Sequence, residues 1–357
     1  MQYPITGHKI SQYALIILLL GLLYLAVIFP LLEKSIGDES NYIRTDLWQS
    51  SPTDSLTLYY LEKAELPGWE ELFEETRDSL FVVDYRLHHR HTVTLRDEQH
   101  PVIPFTNHFT VKTLIAFSSW RRSGDDRFRR LFLKNARWMR DYLHSLDDST
   151  AVWQNSQMTY DKYNLQLGWP SAYAQGYGLS VLCRAFQLQQ DSSFLQAAEQ
   201  VLNSFDYPYQ EGGILDIDDS GHYWYLEYPA DPPAYVLNGL IFGLFGIYDY
   251  WRISGSDKAL RYFKRGIETL SANLQRYDKG YWSAYDLAYN HFCASYKYHR
   301  NFHIPQLEVL FQITAEPVFA EYHQKFLTYL REPYFSLFKI KFSLDAIVRR
   351  LTYKNPF

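Results

Sequence analysis

The feature that most constrains the fold is a unit that recurs from Asn107 onward. Each unit is an amphipathic helix, a short polar turn carrying Asp or Thr, and a second amphipathic helix. The turns are SGDD (123–126), QQDSS (189–193), SGSD (254–257) and TAEP (314–317). Asp126, Asp191 and Asp257 recur at a spacing of about 66 residues. The repeat predicts consecutive αα-hairpins.

The apolar positions within these units follow the period of a helix with one buried stripe. Apolar side chains step by three and then one along two of the segments. They are Leu237, Leu240, Ile241, Leu244, Phe245 and Tyr248, and Phe194, Ala197, Ala198, Val201, Leu202 and Phe205. We therefore predict a mainly α fold, an incomplete α/α toroid of hairpins over residues 107–333. We expect the residues of the functional site to lie in the long connections between hairpins, 147–170, 206–232 and 277–302.

An apolar run before the repeats has the length that crosses a bilayer. It extends from Ala14 to Leu32. The flanking charges predict a cytoplasmic segment at 1–12, a transmembrane helix at 13–33 and a type II single-pass orientation. The body would then be periplasmic in a bacterium or luminal in the Golgi of a eukaryote. A cleaved signal peptide is the competing interpretation, although the run is long for one.

Two further segments flank the repeats. Residues 34–106 form an expected stalk and a short β-rich segment, and histidines at 88, 89 and 91 are interpreted as solvated rather than as metal ligands. Residues 334–357 form an amphipathic tail that mixes basic with large apolar residues. This tail fits a helix that docks on a membrane surface or on a second subunit, so a homodimer is left open. A final helix packed on the toroid fits equally.

Composition narrows the function. A formal charge of −5 argues against a general nucleic-acid surface. The chain has 31 Tyr, which favours polar, ring-shaped ligands. No G-x-G-x-x-G turn occurs, so NAD is not expected, and no cofactor or metal is predicted. Cys183 and Cys293 are interpreted as two buried thiols, with one bridge left open.

The richest stretch for chemistry runs from His222 to Gly239. Five aromatic rings and the carboxylate of Glu227 precede an apolar helix there. Such rings can stack on sugar faces, which predicts a carbohydrate site. The same pattern also fits buried core beside a helix, and composition alone leaves both interpretations open.

Four segments follow one another along the chain: LGWPSAYAQGYGLSVLCRAF (167–186), YLEYPADPPAYVLNG (225–239), YDKGYWSAYDL (277–287) and HIPQLEVL (303–310). In this order they resemble the C-terminal domain of the D-glucuronyl C5-epimerases. The resemblance covers about residues 107–332. The resemblance implies removal and return of the C5 proton of glucuronate within a polymer of the heparosan or heparan sulfate type, giving iduronate.

The resemblance also implies the catalytic residues. Glu227 and Tyr228 match the family's glutamate and tyrosine, and Tyr285 matches the tyrosine of its Tyr-Asp-Leu motif. The third family tyrosine precedes the His-Ile segment. The spacing to His303 is one residue longer here, which makes Tyr298 the match and Tyr296 a rival. The matched segments also supply the expected substrate-binding residues Trp169, Gln175, Tyr225 and Asn238.

One departure concerns the substrate carboxylate. Where the family often has Arg after Tyr-Asp-Leu, this chain has Ala288. Lys297, His299, Arg300 and His303 are candidates to replace that arginine. Arg300 is the preferred one because its guanidinium can hold a carboxylate with two bonds.

The implied chemistry places demands on the site. Removing a proton next to a carboxylate builds negative charge, so donors must stabilise an enediolate. A tyrosine serves as the base if neighbouring positive charge lowers its pKa from about 10. A uronate polysaccharide lyase on a similar toroid would begin with the same step. A non-catalytic, membrane-anchored glycan-binding protein is the alternative from another class.

Overall fold

A computed structural model describes residues 106–155, 163–288 and 293–352. The expected transmembrane helix at 13–33 and the stalk and β-rich segment, apart from Thr106, lie outside the described residues. Within those three ranges, no helix combines the length and the apolar character that crossing a bilayer requires.

Each predicted polar turn joins two helices. The first three pairs are α1 (Thr106–Ser123) with α2 (Asp126–Asp141), α3 (Ala172–Gln189) with α4 (Ser193–Asn203), and α5 (Leu237–Ser254) with α6 (Asp257–Asn273). The fourth begins as one continuous helical segment formed by α7 (Tyr296–Tyr298), a π-helical turn (His299–His303) and α8 (Ile304–Thr314), and ends with α9 (Pro317–Tyr329). The hairpin prediction is confirmed, and α10 (Tyr334–Thr352) follows.

The turn residues explain where the helices begin and end. Asp125 and Ser256 precede α2 and α6, and each side chain accepts a hydrogen bond from a backbone N–H of the first turn. Gly255 ends α5 in the left-handed conformation, at a φ of 67°. Pro317 opens α9, where its missing N–H costs nothing. These local signals make the hairpins readable from sequence.

The first helices of successive hairpins pack against each other. α3 contacts both α1 and α5, and its contact with α5 is the most extensive between any two described helices. Both α3 and α5 are buried on almost every side, whereas α6 buries one stripe. Hairpins stacked side by side in this way are the units from which an α/α toroid is built. Its closure stays a prediction.

The α3–α5 contact depends on glycine. A Cβ on Gly176 would overlap the backbone of Phe242 and Gly243, and a Cβ on Gly246 would overlap the backbone of Gly176. Two helices approach this closely only where side chains are absent, since the clash would be with backbone rather than with a movable side chain.

A buried ion pair also joins these two helices. The guanidinium of Arg184 on α3 lies 2.7 Å from the carboxylate of Asp249 on α5, and both side chains are inaccessible to solvent. Ser180 donates a further hydrogen bond of 2.7 Å to the same carboxylate. Cys183 lies beside this pair, and both it and Cys293 are buried thiols outside any disulfide, as the sequence interpretation expects.

The long connections carry short two-stranded ladders. β1 (His144–Ser145) pairs with β2 (Ala151–Val152), β3 (Gln154–Asn155) with β4 (Trp169–Pro170), and β5 (Leu215–Ile217) with β6 (Tyr223–Tyr225), all antiparallel. Short 3₁₀ turns at Ser204–Asp206, Tyr209–Glu211 and Leu274–Tyr277 complete them. The connections are therefore ordered by backbone hydrogen bonds.

The C-terminal tail forms the final helix, α10, and one of its faces packs on the body. Phe338 stacks on Trp282 with ring centroids 3.8 Å apart, and Phe335 lies 6.1 Å from the same ring. Phe342 continues this face. The tail therefore forms a final helix with one face packed on the body, and docking through its other face stays a prediction.

Candidate active site

A second apolar cluster, separate from the main core, lies where the long connections meet. Its central residue is Tyr228, and Tyr285 packs against it. Its buried members are Tyr163, Leu165, Trp169, Tyr228, Ala230, Ala234 and Val236. Because these residues come from the first connection and from the segment that leads into α5, and Tyr285 comes from the third connection, the cluster forms only when the hairpins are assembled. We call it the tyrosine cluster.

Backbone hydrogen bonds place Tyr285 beside Tyr228. The N–H of Leu237 donates to the carbonyl of Tyr285 at 3.1 Å, and the N–H of Leu287 donates to the carbonyl of Ala234 at 3.0 Å. These two bonds tie the third connection to the residues that follow Tyr228. The phenol oxygens of Tyr228 and Tyr285 then lie 3.4 Å apart.

Tyr298 reaches the same cluster from the fourth hairpin. Its ring meets that of Tyr285 edge-on, with centroids 4.9 Å apart. The rival Tyr296 instead packs against Trp282 and Phe335, with centroids 6.3 and 5.6 Å away. The structure thus places Tyr298, rather than Tyr296, with the other two tyrosines.

A π-helical turn follows Tyr298 directly. The N–H of Ile304 bonds to the carbonyl of His299, five residues earlier, instead of four as in an α-helix. A single π-turn holds one residue more than an α-turn, and such turns are frequent at functional sites. This turn accommodates the additional residue noted between Tyr298 and His303.

Glu227 is buried next to Tyr228. Asn238, the second residue of α5, donates its side-chain amide to the Glu227 carboxylate at 3.2 Å. Gly239 lies directly against the Glu227 side chain, so that a Cβ there would overlap it. Asn238, expected to bind substrate, therefore orients the glutamate.

The pKa of Tyr285 is shifted in the direction opposite to the one expected for a tyrosine base. Burial raises the pKa of Tyr285 well above its ordinary value, and the nearby Glu227, Tyr228, Tyr298 and Tyr163 raise it further. A tyrosine base was expected to need a pKa lowered by positive charge, and Tyr285 does not meet that condition. The physical reason is that an anion forming there would be desolvated and would meet other anionic or phenolic oxygens. Tyr285 therefore carries its proton at neutral pH.

Two tyrosines of this region were missed by the sequence analysis. Tyr163 stacks on Tyr228 with centroids 4.5 Å apart and donates its hydroxyl to Asp286 at 2.6 Å. Tyr173, at the start of α3, lies near Glu227 and Tyr298. Burial of the Tyr173 phenol is the main cause that raises its pKa, and the electrostatic effects of Glu227 and Tyr298 raise it further. Tyr173 stands within the matched Ser-Ala segment and was detectable there, whereas nothing local signals Tyr163.

The predicted sugar-binding residues separate into two groups. Trp169 lies in the tyrosine cluster, 5.6 Å from the ring of Tyr228. Gln175 is fully buried and bonds through both amide atoms to the backbone of Trp153. Tyr225 is also buried, and its hydroxyl donates to the carbonyl of Tyr262. Gln175 and Tyr225 therefore stabilise the fold by bonding to backbone groups in the core, and their assignment as substrate ligands is corrected.

His299 and His303 are likewise core residues. Both lie 2.7 Å from the hydroxyl of Ser283 through Nδ1, and Nε2 of His299 donates to the carbonyl of Phe326. A neutral His299 then accepts from Ser283, which in turn accepts from His303. Burial lowers the pKa of His299 to about 3 and that of His303 well below its ordinary value. Both are neutral at pH 7, so the expectation that either supplies a cation is corrected.

These histidines predict a loss of stability in acid. The pKa of His299 is about 3 in the folded chain and 6.5 as a free side chain, so the unfolded state binds more protons between those values. Stability is therefore fully present above pH 6.5 and falls as the pH drops below it. For His299 alone, we expect a loss of about 2 kcal/mol between pH 7.5 and 5.

Denaturant unfolding at the two pH values measures this loss. In parallel, the ring C–H resonances of His299 in the folded chain are expected to show no titration between pH 5 and 8. A titration midpoint near 6.5 for that ring would contradict its assignment as a buried neutral imidazole.

Arg300 packs beside Tyr296. Its guanidinium is 5.8 Å from the ring centre of Tyr296. Side chains two positions apart on a helix do not share a face, so Arg300 and Tyr298 point in different directions. Lys297 is exposed, as is Ala288. The position of Arg300 therefore does not support the prediction that its guanidinium binds the substrate carboxylate.

Comparison with known proteins identifies the family. The family model described as D-glucuronyl C5-epimerase C-terminus matches residues 147–328, just over half of the chain. The match includes Glu227, Tyr228, Tyr285 and Tyr298.

Two relatives are similar to parts of the chain. An uncharacterized protein of Methanocaldococcus jannaschii is 31% identical over 207 residues, which is 54% of this chain and 66% of that protein. The D-glucuronyl C5-epimerase of Caenorhabditis elegans is 36% identical over 138 residues, 35% of this chain and 22% of that enzyme. The similarity thus spans just under two thirds of the first relative and about a fifth of the second. On the family match, this chain belongs to the family defined by the C-terminal domain of the D-glucuronyl C5-epimerases.

Proposed function

We propose that this protein epimerises D-glucuronate to L-iduronate at C5 within a polysaccharide of the heparosan or heparan sulfate type. The observation that carries the proposal is the pair of phenol oxygens of Tyr228 and Tyr285, 3.4 Å apart in the buried tyrosine cluster. Glu227 and Tyr298 lie close to the same pair. Ionisable groups gathered in a buried cluster are the arrangement that proton transfer requires.

The distance between the two phenols favours a scheme in which both serve one face of the sugar. Epimerisation needs a proton acceptor on one side of C5 and a proton donor on the other. Each oxygen must approach the carbon to about 3 to 3.5 Å, so oxygens on opposite faces are about 6 to 7 Å apart. Tyr228 and Tyr285 are too close for that. In our proposal they serve one face as a pair, and Tyr298 serves the other.

The high pKa of Tyr285 determines its part in this scheme. A phenol that keeps its proton at neutral pH is a donor, so Tyr285, together with Tyr228, returns a proton to C5. Tyr298, acting as a phenolate, removes the C5 proton from the opposite face, so that it becomes a neutral phenol and the sugar becomes the enediolate. In the reverse direction the roles exchange. Glu227 lies close enough to Tyr285 to oppose its ionisation, and it can accept a proton that a phenol gives up.

A hydroxyl donor replaces the expected arginine in this proposal. Tyr173 lies near both Glu227 and Tyr298. A phenol O–H can donate to the uronate carboxylate as the enediolate develops. One well-placed donor of this kind is worth about 3 to 4 kcal/mol in the transition state.

The cellular setting belongs to the same proposal. The apolar run at 14–32 would anchor the protein with the tyrosine cluster outside the cytoplasm, in the periplasm or the Golgi lumen. Incomplete closure of an α/α toroid would leave a groove in which an anionic uronate polymer could lie. No cofactor takes part in the scheme.

Solvent exchange tests the activity directly. The protein is incubated with heparosan in D₂O, and the C5 position is followed by NMR. We expect deuterium at C5 and new iduronate signals. An absorbance from a new C4–C5 double bond would instead identify a lyase. Polymer binding without deuterium incorporation would identify a glycan-binding protein.

Gly239 provides a test of Glu227 that leaves the carboxylate in place. In Gly239→Ala the new Cβ would overlap the Glu227 side chain and displace it from Asn238. We expect exchange at C5 to fall about tenfold, a barrier change near 1.4 kcal/mol, with the helical circular dichroism unchanged.

The matched control is Gly243→Ala, one turn later on α5. Its Cβ would meet the ring of Phe205 at 3.1 Å and Ala172 at 3.6 Å, both outside the tyrosine cluster. Exchange within a factor of about three of the unaltered protein is expected for this control. If both variants lose activity equally, the effect comes from helix packing and the role of Glu227 is not supported.

A further inference from the structure

The helix α10 carries a second apolar face that does not pack on the body. Leu337, Ile340 and Leu344 are spaced by three and four residues, so they form one row along the helix. They are 44%, 59% and 51% exposed. The opposite face holds Phe335 and Phe338, which pack on Trp282. The exposed row is therefore not needed to attach the helix.

Positive charge accompanies this row. Lys341 is exposed, four residues after Leu337 and three before Leu344, and so borders the row. Residues 334–357 contain five basic residues and one acidic residue, whereas the whole chain has a formal charge of −5. The surplus of positive charge at the C-terminal end is thus a local feature of an acidic protein.

We propose that the exposed face of α10 binds a membrane surface containing anionic lipids, with Leu337, Ile340 and Leu344 in the headgroup region and Lys341 on lipid phosphates. A helix with an apolar row bordered by Lys or Arg lies in the membrane interface and is favoured by anionic lipid. An anionic polysaccharide would neutralise the lysine but leave the leucines in water. A second copy would bring two positively charged helices together.

A site-specific fluorophore tests the proposal on the full-length chain. An environment-sensitive dye is attached in Ile340→Cys, since both native cysteines are buried and do not take the label. The labelled protein is reconstituted into vesicles that carry a quencher on the lipid. Ser220→Cys, in the exposed turn between β5 and β6, carries the same dye as the matched control. The control accounts for any membrane contact made through the N-terminal apolar run.

We expect quenching at position 340 to exceed that at 220 at least about fivefold in vesicles containing phosphatidylglycerol, and to fall to the control value in phosphatidylcholine alone. Adding Lys341→Glu is expected to reduce quenching at 340 by at least about half, with circular dichroism unchanged. Equal quenching at both positions, or equal quenching in both lipids, overturns the proposal. So does a dye shift that depends on protein concentration without lipid, which would indicate a second copy, or an equal shift with uronate polymer alone.

Discussion

Replacing Tyr285 or Tyr228 by Phe is expected to lower C5 exchange by about 10²- to 10⁴-fold, the range that a positioned proton-transfer group contributes. The change removes one hydroxyl and keeps the ring, so the stacking of Tyr163 on Tyr228 and the edge contact of Tyr298 with Tyr285 remain. Deuterium incorporation at C5 measures the loss. Because the two hydroxyls lie within 3.4 Å and act as a pair, the double variant should be little worse than either single one.

A tyrosine of the same connection serves as the control. Tyr281 lies four residues before Tyr285, and its hydroxyl contacts the sulfur of Cys293 at 3.3 Å, outside the tyrosine cluster. Tyr281→Phe is expected to keep exchange within a factor of about three, since it removes a hydroxyl that has no part in the proposed mechanism. If Tyr285→Phe keeps more than about a tenth of the activity, the activation barrier has risen by less than roughly 1.4 kcal/mol. That result would contradict a role for Tyr285 in proton transfer.

Breaking the buried ion pair is expected to have the largest effect on stability. In Arg184→Met the carboxylate of Asp249 stays buried and loses its guanidinium partner at 2.7 Å. Leaving one buried charge uncompensated costs about 3 to 5 kcal/mol. Thermal and denaturant unfolding of the variant measure that loss.

The double replacement Arg184→Met with Asp249→Leu separates the charge effect from packing. It removes both charges and keeps apolar volume between α3 and α5. A buried ion pair replaced in this way is often neutral or even stabilising, so most of the lost stability is expected to return. A double variant as unstable as Arg184→Met would show instead that shape, rather than unpaired charge, determines the loss.

The helical framework was readable from sequence because each hairpin turn has its own local signal. Asp125, Ser256 and Gly255 act within one turn of where they stand. The first connection was harder. Its contact between Tyr163 and Asp286 joins residues 123 positions apart, and no local pattern records such a pair.

The candidate site likewise contains some residues that could be predicted from the sequence and others that could not. The structure brings Tyr228, Tyr285 and Tyr298 together, as the motif resemblance implied. The residue type does not reveal which way a side chain points, so Gln175 and Tyr225 were assigned to substrate although both satisfy backbone groups in the core. His299 was misassigned for a related reason: its charge state depends on burial, which a sequence does not display.

The π-turn after Tyr298 bears on how this part of the chain can change length during evolution. Its two ends are held by different contacts, Tyr298 by the ring of Tyr285 and His303 by the hydroxyl of Ser283. An inserted residue is taken up within the single turn between them, instead of rotating everything that follows by about 100°. Insertion or deletion of one residue in this turn therefore leaves the positions of Tyr298 and His303 unchanged. Alignments that forbid a gap inside a helix would misplace one of these two residues.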